Sequence, residues 1–144
     1  MAVILVVDDE VEIRDLIRRV LVRDGHQVDV AVHGAAALEA VSIHPYDLVI
    51  CNVRMPVMDG PTFYAHVQRM DPQLASRFLF CTGDIVSLTV RSFLLSTGQA
   101  VLAKPFSIAS LCDMVRGILE RRPSLYRGTA ARVEERFTVL MPPV

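Results

Sequence analysis

The feature that most constrains this chain is a recurring unit. A short, uniformly apolar run stops abruptly at polar residues, and a helical pattern follows. Residues 3–7 run into Asp8-Asp9, residues 47–51 (apolar from Leu48 on) into Asn52, residues 78–81 into Thr82-Gly83-Asp84, and residues 101–103 into Lys104-Pro105. Runs that are apolar at every position, rather than at alternate ones, suit strands of a parallel sheet covered on both faces. Between them, Ile13, Leu16, Ile17, Val20 and Leu21 share one helical face before Gly25, a glycine stop. A small-residue helix at 34–41 is broken by His44-Pro45, and further helices are expected at 61–70, followed by a turn at Asp71-Pro72, at 85–97 and at 107–121. The last is capped by Ser107, with Ile108, Leu111, Cys112, Val115, Ile118 and Leu119 as its expected buried stripe. A more polar strand at 27–32 completes five strands alternating with five helices. That alternation predicts an α/β fold with a doubly wound five-stranded parallel sheet. Right-handed crossovers leave few topologies, of which the strand order 2-1-3-4-5 is one of the two common ones.

In such a sheet ligands bind in the crevice at the carboxyl ends of the strands. Asp8, Asp9, Asn52, Thr82 and Lys104 are therefore expected around one pocket. Adjacent acids without a glycine-rich turn argue against a dinucleotide, whose pyrophosphate needs backbone N–H groups there. Paired carboxylates with a loop carbonyl instead suit a hard cation such as Mg²⁺. Thr82 and Lys104 suit the oxygens of a phosphoryl group opposite it. Any one of these residues alone reads more readily as a helix cap; four such strand ends on one crevice reverse that preference in favour of a site.

At 144 residues the chain fits one domain, expected over residues 1–121, with a tail at 122–144 that forms a short helix or an arm. A net charge of −1 with interspersed signs gives no reason to expect nucleic acid or a membrane surface as partner. The longest apolar run, residues 1–7, is too short to span a bilayer. Cys51, Cys81 and Cys112 read as free, largely buried thiols, and a cytoplasmic location is expected.

Val7-Asp8-Asp9-Glu10, the run from Asp47 to Gly60, Thr82-Gly83-Asp84 and Lys104-Pro105-Phe106 together resemble the receiver domain of bacterial two-component response regulators. The likeness extends over about residues 2–121, with the motifs in order and at the right intervals. It implies a flavodoxin-like fold that takes a phosphoryl group from a sensor histidine kinase onto an aspartate. It also implies Mg²⁺ held by Asp8, Asp9, the residue at 52 and the backbone carbonyl of Arg54, with Thr82 as the switch hydroxyl and Lys104 as the phosphate-binding ammonium. The Lys104-Pro105 bond is expected to be cis, an isomer tolerated mainly before proline.

Two positions depart from the family pattern. Where the phosphoacceptor aspartate is expected stands Asn52, an uncharged amide and a poor nucleophile, so phosphorylation is expected to be blocked and Mg²⁺ binding weakened. Where many receivers carry a mobile aromatic stands Val101. Retention of Asp8, Asp9, Thr82 and Lys104 implies a phosphorylatable parent with a recent or deliberate change at 52. The alternative is a natural pseudo-receiver that acts as a phosphorylation-independent interaction module. Arg54 and Asp84 are expected to bridge the pocket mouth.

The resemblance implies a stand-alone receiver, not an enzyme, although its parent form would catalyse its own phosphoryl gain and loss. With no DNA-binding domain expected after residue 121, output runs through protein contact or onward phosphate transfer. A phospho-aspartyl hydrolase would need a cap-sized insertion that this length does not hold. In the fourth helix, Val86, Val90, Phe93 and Leu94 form an expected core stripe, with Leu88 and Leu95 on the other side. A homodimer is expected through the fourth helix, fifth strand and fifth helix, or through tail residues including Phe137 and Leu140. Val11 and Val22 near Arg18 mark a candidate kinase-docking surface.

Overall fold

The structure, a computed structural model, describes residues 1–121. Expectations for the tail, including Phe137 and Leu140, lie outside the described residues. Five parallel strands, β1 (Val3–Val7), β2 (Gln27–Ala31), β3 (Leu48–Asn52), β4 (Phe78–Thr82) and β5 (Ala100–Ala103), form one sheet in the order β2-β1-β3-β4-β5. The doubly wound sheet expected from the alternation is the one observed. The helices are α1 (Val11–Arg23), α2 (Gly34–Ile43), α3 (Gly60–Met70), a single turn α4 (Pro72–Ala75), α5 (Leu88–Thr97) and α6 (Ile108–Glu120).

Side chains of β1, β3, β4 and β5 alternate between two cores, which is why these strands are apolar on both faces, whereas the edge strand β2 carries Gln27 and Asp29. One face sends Leu5, Val7, Val49, Cys51, Phe78, Phe80 and Val101 against Ala37 of α2, Phe63, Tyr64 and Val67 of α3, and Val90 and Leu94 of α5. The other sends Ile4, Val6, Leu48, Ile50, Leu79, Cys81 and Leu102 against Ile17 and Leu21 of α1 and Leu111, Val115 and Ile118 of α6. Tyr64 meets Phe78 edge-on at 4.9 Å between centroids, and Phe93 of α5 meets Phe80 edge-on at 5.3 Å. Such ring pairs add about 0.5–1.5 kcal/mol each beyond the area they bury.

Four expectations are corrected. The turn after α3 carries α4, capped by the Asp71 carboxylate, which accepts from the Leu74 N–H. The fourth sequence helix, α5, starts at Leu88 with Ser87 as its cap; Val86 therefore precedes the helix and is exposed rather than part of a core stripe. Leu88 is 80% exposed as expected, but Leu95 packs against the α2/α3/α5 core. Leu88 occupies the open first turn, whereas Leu95 lies in the last turns over the sheet. Ile108, at the start of α6, is exposed rather than in its buried stripe. Cys51 and Cys81 are buried and Cys112 is half-buried, all as free thiols. No helix among the described residues is long and apolar enough to cross a membrane.

Candidate functional site

The strand register puts the polar strand ends side by side. Val7 pairs with Cys51, Asn52 with Cys81 and Thr82 with Ala103. Asp8, Asn52, Thr82 and Lys104 thus emerge at one rim of the sheet, Asp8 level with Asn52 and each later group one residue further along in register. The Lys104-Pro105 bond is cis, as expected.

Asp8 is the deepest charge, only 2% exposed. One of its carboxylate oxygens accepts from the Glu10 N–H at 2.9 Å and the other from the Lys104 ammonium at 2.9 Å. A charge buried this far needs such partners. Lys104 also reaches the Glu10 carboxylate at 3.3 Å. Partial burial opposes the lysine charge. The Asp8 hydrogen bond, together with the Asp8 and Glu10 charges, outweighs it and holds the ammonium above the usual lysine range. Lys104 is therefore fully protonated at neutral pH. The backbone follows the same route, since the Lys104 N–H donates to the Thr82 carbonyl at 2.8 Å.

Asn52 is nearly buried at the end of β3. Its carbonyl oxygen accepts from the Val53 N–H at 2.9 Å. Its amide nitrogen donates to the exposed Asp9 carboxylate at 3.1 Å and to the Arg54 backbone carbonyl at 3.0 Å. That network fixes which end of the amide carries the nitrogen. Thr82 is buried, with its hydroxyl accepting from the Asp84 N–H at 3.0 Å. Across the mouth, Arg54 pairs with Asp84 at 2.9 Å and also donates to the Ser87 hydroxyl at 3.2 Å. Val101 lies wholly inside the core, opposite Phe80 in register, with no route to the surface.

The loop after β3 is held by two glycines where the backbone comes too close for a side chain. A Cβ on Gly60 would sit 2.5 Å from the Asn52 carbonyl oxygen, and one on Gly34 would sit 2.6 Å from the Met58 carbonyl oxygen. The Gly60 N–H donates to Val53 and the Gly34 N–H to Met58, so the loop is tied to both flanking helices. Glu10, Arg14, Ser87 and Gly60 also contact the site residues or the loops that carry them, and sequence alone assigned them no role. Arg14 donates to the Asp8 backbone carbonyl at 2.8 Å. Ser87 had a readable signal, a hydroxyl just before an apolar helix; Glu10 and Arg14 had none.

Residues 4–116 match the family described as response regulator receiver domain. The chain is 34% identical over 121 residues to the transcriptional regulatory protein SpaR of Bacillus subtilis, covering 84% of this chain and 53% of SpaR. It is 30% identical over 117 residues to the chemotaxis protein CheY of Bacillus subtilis, covering 81% of this chain and 96% of CheY. The solved structure of the response regulator TrrA of Thermotoga maritima, in complex with Mg²⁺-BeF, is 29% identical with a TM-score of 0.72, covering 83% of this chain and 100% of that one. The chain spans about half the length of several curated regulators it matches.

Proposed function

Because the chain belongs to the response regulator receiver domain family, we propose that it is the receiving unit of a two-component relay in which Asn52 blocks the transfer itself. The observation that carries this reading is the 2.9 Å pair between Lys104 and buried Asp8, set beside an amide rather than a carboxylate. Lys104 stays charged and faces the crevice rim, where it suits the oxygens of an incoming phosphoryl group. The nucleophile is missing. An amide nitrogen shares its lone pair with its carbonyl, and both ends of Asn52 are already hydrogen-bonded.

The unit works as a signalling module, its partner is a sensor histidine kinase, and self-catalysed phosphoryl gain and loss belongs to a form with aspartate at 52. Its free cysteines suit a cytosolic setting. Incubation with acetyl phosphate and with a cognate kinase, followed by mass spectrometry, tests this directly. The present chain should stay unmodified, while Asn52→Asp should gain one base-labile phosphoryl group. Modification of the present chain at residue 52, or none on Asn52→Asp, overturns the assignment.

A second reading, an interaction module that binds a kinase without chemistry, is favoured by the hydrogen-bond satisfaction of Asn52. It requires kinase affinity equal in the present chain and in Asn52→Asp before phosphorylation.

A further inference from the structure

The oxygens that the receiver resemblance assigns to a divalent cation are Asp8, Asp9, the residue at 52 and the Arg54 carbonyl. Mg²⁺ demands near-octahedral oxygen ligands and gives up its waters reluctantly, so it needs those oxygens free and converging. Here they are engaged with hydrogen-bond donors. Both Asp8 oxygens are engaged, by the Glu10 N–H and by Lys104. One Asp9 oxygen and the Arg54 carbonyl are engaged by the two hydrogens of the same Asn52 NH₂ group, at 3.1 and 3.0 Å. As arranged, the residues present do not fit the ion.

We infer that the Asn52 carboxamide is a built-in stand-in for the cation: its NH₂ bridges the Asp9 carboxylate and the Arg54 carbonyl, and holds the crevice in one arrangement without metal. An NH₂ group suits this because it carries two donors that diverge, one for each acceptor. Turning the amide to offer its oxygen to a metal would face its NH₂ toward the Val53 N–H, donor against donor, at a nearly buried position. Occupation, and not only the lost charge, therefore keeps the ion out. Asn52 also leaves a cluster whose deepest acid, Asp8, is already neutralised by Lys104. A carboxylate at 52 would remove both donors and add a third negative charge beside Asp8 and Asp9, so that variant would need the cation that this chain does without.

The inference rests on the receiver reading of the pocket, and two substitutions separate the two. Asn52→Asp restores the charge, and Asn52→Ala empties the position while staying neutral. Each protein is titrated with MgCl₂ by calorimetry and melted in EDTA and in MgCl₂. The present chain should show no saturable binding and the same Tm in both. Asn52→Asp should melt lower than the present chain in EDTA and recover in MgCl₂, with Mg²⁺ affinity at least ~100-fold above that of the present chain. Asn52→Ala should bind Mg²⁺ more tightly than the present chain despite equal charge, because the space between Asp9 and the Arg54 carbonyl is then open. Binding by the present chain as tight as by Asn52→Ala overturns the stand-in. An Asn52→Asp protein indifferent to Mg²⁺ overturns the receiver pocket on which it rests.

Discussion

Cys81, next to last in the fourth strand, holds its thiol inside the core, and burial pushes that thiol from 9.0 up to about 12 despite the opposing pull of Lys104. Burial raises Cys51 in the same direction. A thiol protonated in the fold and ionised in the unfolded chain makes the folded state bind more protons. Stability is thus intact below pH 9 and is lost as pH climbs from about 9 toward about 12. One such thiol removes about 1.4 kcal/mol per pH unit across that window. Melting temperature should accordingly drop between pH 9 and 10. Cys81→Ala should lower it at pH 7, by leaving a small cavity, yet make the alkaline fall shallower; an unchanged slope would refute the thiol account. At this scale the site was partly legible. Asp8, Asn52, Thr82 and Lys104 stand out because each interrupts an apolar strand where burial tolerates nothing idle. Glu10 and Arg14 do not, because a charge on the first turn of an amphipathic helix looks the same whether it meets solvent or a neighbour.

Among the elements, the strands were the easiest to read and α5 the hardest. A strand buried on both faces leaves a continuous apolar signature, and all five were located to within a residue or two. The boundary of α5 depended on Ser87, whose hydroxyl accepts from the Val90 N–H. Placing the start three residues earlier draws Val86 into the helix and its core stripe, although it stands exposed ahead of Ser87. The unequal burial of Leu88 and Leu95 separates substitutions at the two positions. Leu95→Glu should destabilise by about 2–4 kcal/mol, since it puts a charge against the core. Leu88→Glu should stay within about 0.5 kcal/mol, as surface changes do. Urea unfolding distinguishes them. Leu88→Glu, which leaves the fold intact, also becomes the cleaner probe of a dimer through α5, β5 and α6. A light-scattering mass unchanged by it, in a protein that is dimeric, places the interface elsewhere.

At the level of the whole molecule, Lys104 and Asp8 join the last strand to the first across 96 positions of chain. With exposures of 13% and 2% the pair is sheltered from solvent. Removing one partner leaves the other charge stranded. Lys104→Met should cost about 3 kcal/mol at neutral pH, and adding Asp8→Asn should return part of that loss. A double-mutant cycle in urea measures the coupling; additive effects would mean the two strand ends are held by packing alone.

Ser87 serves two masters with one hydroxyl: it caps the start of α5 and it receives the Arg54 guanidinium. α5 itself is anchored by buried Val90 and Leu94, with Phe93 and Leu95 alongside, while its leading leucine stands in solvent. That outer leucine, Leu88, directly follows the residue that receives Arg54, so the exposed start of α5 and the doorway of the crevice lie one residue apart. The Arg54–Asp84 contact is exposed and worth only about 0–1 kcal/mol, so this linkage is a soft spring rather than a bolt, one that yields to a visitor without unmaking the fold.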